Sequence, residues 1–173
     1  MKKILYTIVI LGAATGFFLF SAPGLDILKK APDSNREATW APFMYYNIAR
    51  LHESMGRHDT AVEIYDEMLK TYDRDRRRSG QFVEHDLSRH YVPYALYRKG
   101  ICLKKMGDKE YARASAQRSE GKSKEAEESA ALSEKYHTQA CRIFREFIDK
   151  HVHHKLYPEA NRLYNELQIN LSS

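Results

Sequence analysis

The spacing of apolar and polar positions changes character three times along the chain. After Met1-Lys2-Lys3 comes a charge-free run, "ILYTIVILGAATGFFLFSAPGL", from Ile4 to Leu25. Residues 26–40, "DILKKAPDSNREATW", are polar, contain a proline and carry few periodic apolar residues, so they read as a linker. From Ala41 the period becomes helical: Tyr45, Ile48, His52 and Met55 recur at one-face spacing, and Gly56 ends the pattern. Asp59 is then placed to cap a second helix, whose face holds Ala61, Ile64, Tyr65, Met68, Leu69 and Tyr72. The charged, glycine-bearing stretch 73–88 reads as a loop or a frayed helix end. Near the other terminus Pro158 opens a last helix with Leu163, Tyr164 and Leu167 on one face.

The segment "PFMYYNIARLHESMGR" from Pro42 is repeated at an offset of 51 residues as "PYALYRKGICLKKMGD" from Pro93. Tyr46 aligns with Tyr97, Ala49 with Gly100, and Gly56 with Gly107. Small residues at fixed places let two helices approach closely, while bulky ones a turn away fill the space around the contact. In the first unit the series is Tyr45, Ile48-Ala49, His52, Gly56, Ala61, Tyr65 and Met68; in the second it is Leu96, Lys99-Gly100, Leu103, Ala140, Phe144 and Phe147. This series resembles the tetratricopeptide repeat, a helical hairpin that stacks into a solenoid. The resemblance implies an all-α fold. Two hairpin repeats, the second elongated, and a final capping helix form a short α-solenoid over residues 41–173, behind an N-terminal transmembrane helix.

The second unit is stretched. Ala49 and Ala61 are twelve residues apart, whereas Gly100 and Ala140 are forty apart. The extra residues are rich in Ala, Glu, Lys and Ser and contain no proline, so they favour helix. A turn kept at Gly107 would leave one very long helix. A turn moved to Gly121 gives matched helices of about 92–119 and 123–150, close to the midpoint between Gly100 and Ala140. The second arrangement keeps Phe144 and Phe147 beside Leu96 and Leu103, against about 1 kcal/mol for a glycine inside a helix. Its distal arm, 108–137, would be sealed by Ala112, Ala116, Ala126 and Ala130, and serves either as a stiff spacer or as a partner-binding arm.

Twenty-two charge-free residues make about 33 Å of helix, enough to cross a ~30 Å hydrocarbon layer, and two leading lysines favour a cytoplasmic N-terminus. A cleaved leader is the alternative, although cleavage after Ala22 would place Phe20 where a small residue is preferred. Residues 1–25 are therefore expected to form the anchor and the bulk of the chain to lie in the periplasm, outside a bacterial inner membrane. Cys102 and Cys141 are the only thiols, so no lipid-attachment cysteine follows the run. The two would either pair or remain separate buried thiols.

Charge and chemistry narrow the function. The net charge of +5 comes from 28 basic and 23 acidic side chains mixed along the chain, so nucleic acid is not expected as a partner. No phosphate loop, nucleophile elbow or zinc-binding helix motif is found, and neither an enzyme nor a cofactor is expected. "HVHH" at 151–154 lacks a carboxylate or cysteine at ligand spacing, so no metal is assigned. "RDRRR" at 74–78 reads as an exposed loop or a contact for acidic lipid headgroups or an acidic partner. The family resemblance places a protein-binding concave face on the first helix of each repeat, which here carries Phe43, Tyr46, Arg50, Tyr94, Tyr97 and Ile101. Tyr46 and Ile101 depart from the basic and Asn residues of carboxylate-clamp relatives. The resemblance thus implies a membrane-held scaffold or adaptor of an envelope assembly or secretion complex. A structural subunit of a larger membrane complex and a cytosol-facing peptide receptor are the alternatives.

Overall fold

The computed structural model describes residues 22–78 and 87–172. They form α1 (Ala22–Ser34), α2 (Ala41–Ser54), α3 (His58–Arg78), α4 (Leu87–Ser119), α5 (Ser123–Lys150) and α6 (Tyr157–Ser172), with no strand among the described residues. Each helix packs on the next, and α2 also touches α4. The apolar run expected to cross a membrane lies outside the described residues except for 22–25. Those four residues open α1, with Leu25 fully buried in the domain core. Among the described residues no helix is long and apolar enough to cross a membrane.

The linker expected at 26–40 is a correction. Its first nine residues are helical, because Leu25, Leu28 and Pro32 fall on one face and pack inward. Pro32 lacks the N–H that a helix interior needs, and the helix ends two residues later, at Ser34. The polar residues that suggested a linker hold α1 down: Lys29 reaches Glu67 at 2.6 Å, and Asp33 accepts the Tyr45 hydroxyl hydrogen bond. Burial works against charge on Asp33, yet the hydrogen bonds from Tyr45 and Lys29 outweigh it and hold the carboxyl below its ordinary pKa.

Both tight corners are built alike. Gly56 and Gly121 have φ of +74° and +77°, the left-handed region open to glycine. At each, the next amide bonds back five residues: Arg57 to the His52 carbonyl at 3.0 Å, and Lys122 to the Gln117 carbonyl at 2.9 Å. The second unit therefore turns at Gly121, and α4 runs straight through Gly107. A Cβ on Gly107 would lie 2.3 Å from the His137 ring, and one on Gly100 would lie 2.8 Å from Phe144. Both glycines are places of close helix approach. The ring opposite Gly100 belongs to Phe144, one turn beyond the expected Ala140.

Two core clusters follow from this path. The first gathers Leu25, Tyr45, Ile48, Ala49, Tyr65 and Met68; the second gathers Leu96, Leu103, Phe144, Phe147, Leu163 and Leu167. Val62 and Leu69 of α3 pack against both, joining them into one body. Burying Phe144 and Phe147 completely is worth about 1.5–3 kcal/mol each, more than the glycine at 107 costs the helix. Cys102 sits in the first cluster and Cys141 in the second; both are buried free thiols, so the pairing alternative is not realised. Burial first, and then the charge of Glu53, pushes the Cys102 thiol up to about 12.

The distal arm keeps only part of the expected alanine seam: Ala126 is buried and Ala130 half-buried. Ala112 and Ala116 are exposed, whereas Ala114, Ala126, Ser129 and Ser133 are buried. The serines are satisfied across the hairpin: Ser133 Oγ donates to the Gly107 carbonyl and Ser129 Oγ to Gln117 Oε1, each at 2.9 Å. At the tip Glu120 pairs with Lys122 at 2.6 Å.

Candidate functional site

Of the six residues expected to form a binding face, four come together on the side shared by α2 and α4. Phe43 is exposed and meets Tyr91 edge-on at 5.6 Å; Tyr46 lies 5.3 Å from Tyr91 and 6.2 Å from Tyr94. Arg50 follows Tyr46 by one turn of α2. Tyr94 continues the aromatic row to His90 at 5.3 Å and His154 at 4.9 Å, with the Lys155 ammonium 5.3 Å from its ring centre. The ring contacts between α2 and α4 join residues 45 or more apart in sequence, aligned by the parallel course of the two helices, and His154 is added from the turn between α5 and α6.

Tyr97 and Ile101 are corrections. Tyr97 is 8% exposed and packs between Phe144 and Phe147, both at 5.9 Å. Gly100 lets α5 come so close that Tyr97 is absorbed into the second core. Ile101 is half-buried and leans on the same core. Neither side chain is presented beside Tyr46 and Arg50.

The electrostatic centre of this face is Glu53, which sequence reasoning missed. Its carboxylate is 5% exposed, yet it receives both the Nε of Arg98 at 3.0 Å and that residue's terminal nitrogen. The Tyr65 hydroxyl donates to it at 3.4 Å, and Arg50 and Lys105 stand 3.7 and 3.8 Å away. Burial disfavours charge on Arg98, but the hydrogen bonds and charge of Glu53 prevail and raise its pKa. Burial, reinforced by Glu53, likewise raises the Tyr65 phenol. One signal was available: Glu53 falls four residues after Ala49, on the stripe that faces inward, and a carboxylate there requires a cation. Which cation was not legible, since Arg98 lies 45 residues on.

The histidines do not assemble into a metal centre: among the described residues no group of three or more metal-ligating side chains converges. His154 instead accepts the Leu156 amide on Nδ1 at 3.2 Å and packs against Phe147. His52, where the repeat pattern has an aromatic, is 2% exposed, and neither ring nitrogen has a hydrogen-bond partner among the described residues. Burial, and then the charge of Arg57, depresses its pKa and keeps it neutral. The basic run 74–78 belongs to the last residues of α3, and 79–86 lie outside the described residues.

Comparison with known families fits this architecture. Family models for the tetratricopeptide repeat match residues 44–72 and 94–126. The first match covers α2 from Met44, its glycine corner and most of α3. The second covers α4 from Tyr94, the corner at Gly121 and only the start of α5, because the return helix of the elongated unit lies further on. No curated protein and no solved structure matches the chain.

Proposed function

We propose that this chain, which carries two tetratricopeptide repeats, is an interaction scaffold that takes protein partners on the face shared by α2 and α4. The apolar run before α1 holds it at a bacterial inner membrane, with the body in the periplasm, within an envelope assembly or secretion complex. Repeats of this kind are protein–protein interaction modules, and that much follows from the matches themselves. The observation that carries the choice of face is the strip of Phe43, Tyr46, Tyr91 and Tyr94 beside Arg50: partly exposed aromatics with a guanidinium, the side chains that dominate binding hot spots. The anchor reading rests on the charge-free residues 4–21 and on Lys2 and Lys3 ahead of them.

A photocrosslinking amino acid placed at Phe43 or Tyr94 in cells tests the assignment. Partner adducts at these two positions, and none at Asn170 on the exposed end of α6, are the expected result. Adducts confined to the distal arm would overturn it. A second reading, a structural subunit that contacts its complex through the arm, draws on Tyr111 and Leu132, which are 66% and 40% exposed there. Reporter fusions at the C-terminus test the compartment; activity of a cytoplasm-only reporter would reverse the orientation.

A further inference from the structure

The chain enters the described body at one end, and the elongated hairpin projects from that same end. Lys29 of α1 reaches Glu67 of α3, and the Arg36 carbonyl, just past α1, accepts from Tyr72. Helix α1 therefore runs the same way as α3 and antiparallel to α2, whose Tyr45 bonds to Asp33. Ala22, seven residues before Lys29, comes level with the first turn of α3, beside the corner at Gly56. Helix α4 runs parallel to α2. Tyr94 meets Tyr46, Lys105 stands 3.8 Å from Glu53, and Met106 and Lys109 line a cleft with Gly56. Beyond Lys109, α4 continues for ten residues to Ser119, about 15 Å past the level of that corner. Trp40, the only tryptophan of the chain, precedes α2 at the opposite end and is 40% exposed.

Resting on the reading of residues 4–21 as an anchor, we infer that the arm is a second membrane contact: its tip, residues 118–124, lies on the headgroup phosphates of the bilayer that holds the anchor. The lengths decide it. Gly24 and Leu25 are buried in the body, so only three residues of chain, at most about 10 Å, separate Ser21 from a fixed point. The arm overhangs by more than that. The polar layer of a bilayer is about 5–7 Å deep on each side, so an arm held upright would drive its charged tip into hydrocarbon. It leans instead, and the tip rests in the polar layer. The composition of the tip fits that place. Arg118, Lys122 and Lys124 stand there against one carboxylate, Glu120, and all four are exposed. Glu120 pairs with Lys122 at 2.6 Å, which leaves Arg118 and Lys124 for lipid phosphate. The acidic Glu125, Glu127 and Glu128 come after them, on the first two turns of α5 as it runs back to the body.

The test places the full chain in vesicles of phosphatidylethanolamine and phosphatidylglycerol that include a lipid with a nitroxide on its headgroup, and reads tryptophan quenching. Native Trp40 reports the far end of the body, and Trp40→Phe/Ser119→Trp reports the tip. Ser119 is exposed and its hydroxyl bonds only to the nearby Ala116 carbonyl. An unchanged melting temperature verifies the fold, and Trp40→Phe/Ser123→Trp provides a second tip probe. The expected result is quenching several-fold stronger at the tip than at Trp40. Adding Arg118→Glu/Lys122→Glu/Lys124→Glu to the tip probe should bring its quenching down towards the Trp40 level. Equal quenching at both ends, or a tip quenched as strongly after charge reversal, would overturn the inference. Flotation of the vesicles separates the two readings. Protein that floats with an unquenched tip refutes the arm contact and leaves the anchor standing, whereas protein that does not float refutes both.

Discussion

Gly56 stands seven residues after Ala49, and Gly107 stands seven residues after Gly100, so by position the two have the same task. They differ in which property of glycine is used. Gly56 turns the chain at a φ of +74° with open space where a Cβ would sit. Gly107 stays helical and makes room for the His137 ring. What separates them lies far away in sequence: Ala61 and Tyr65 follow the first corner directly and fill the core, while Phe144 and Phe147 come only after a long polar stretch. The second hairpin lengthens until those rings return to the core. Beyond Gly107 it buries only small side chains, so its proximal half carries the packing and its distal half is sealed chiefly by itself.

The largest expected effect breaks this contrast between halves. Phe144→Ala should cost about 3–5 kcal/mol, whereas Leu132→Ala on the exposed arm should change stability by no more than ~0.5 kcal/mol, both read from denaturant midpoints. Comparable losses at the two sites would show that the arm is part of the core. Next comes the contact between the two hairpins: Glu53→Ala strands the partly buried Arg98 and should cost about 3 kcal/mol, while Arg98→Ala/Glu53→Ala together should cost less than the sum of the singles.

A gain is expected at His52. With both ring nitrogens unpartnered, His52→Leu should stabilise the first hairpin by about 1–3 kcal/mol. The sign with pH is fixed: because the folded pKa is depressed below 6.5, the unfolded state binds the proton first, and stability falls as pH drops below about 6.5. The substitution should flatten part of that slope. His58 and His154, also depressed chiefly by burial, retain the rest. A melting temperature equally steep in pH in both proteins would contradict this. The smallest effect separates the two glycines directly. Gly56→Ala should cost about 1–2 kcal/mol through its positive φ. Gly107→Ala should cost less, since helix propensity gains about 1 kcal/mol while His137 is displaced from Asp108. The His137 ring chemical shifts, read by NMR at fixed pH, report that displacement.

Local periodicity made the helices of the repeat and the final helix legible, and the corner at Gly121 followed from matching Gly100 to Ala140 across the stretched second unit. Three features escaped. Helix α1 was hidden because Pro32 and its charges look like a linker until their partners on α2 and α3 are known. Tyr97 was placed on a surface because its burial depends on α5 closing over Gly100. The pairing of Glu53 with Arg98 was not legible, because two residues 45 apart leave no periodic trace, although the inward-facing position of Glu53 was. In each case the deciding partner is on another helix. On the candidate face, sequence placed Phe43, Tyr46, Arg50 and Tyr94, but not the charge centre that gives them chemical character.

Spin labels at the exposed Lys109 and Lys135, read by double electron–electron resonance, test the turn at Gly121 most directly. Neighbouring helices place the two labels within about 20 Å of each other, given interaxial distances near 10 Å. A distance near 39 Å, the length of 26 residues of straight helix, would mean that the chain turns at Gly107 instead and that the elongated hairpin does not exist.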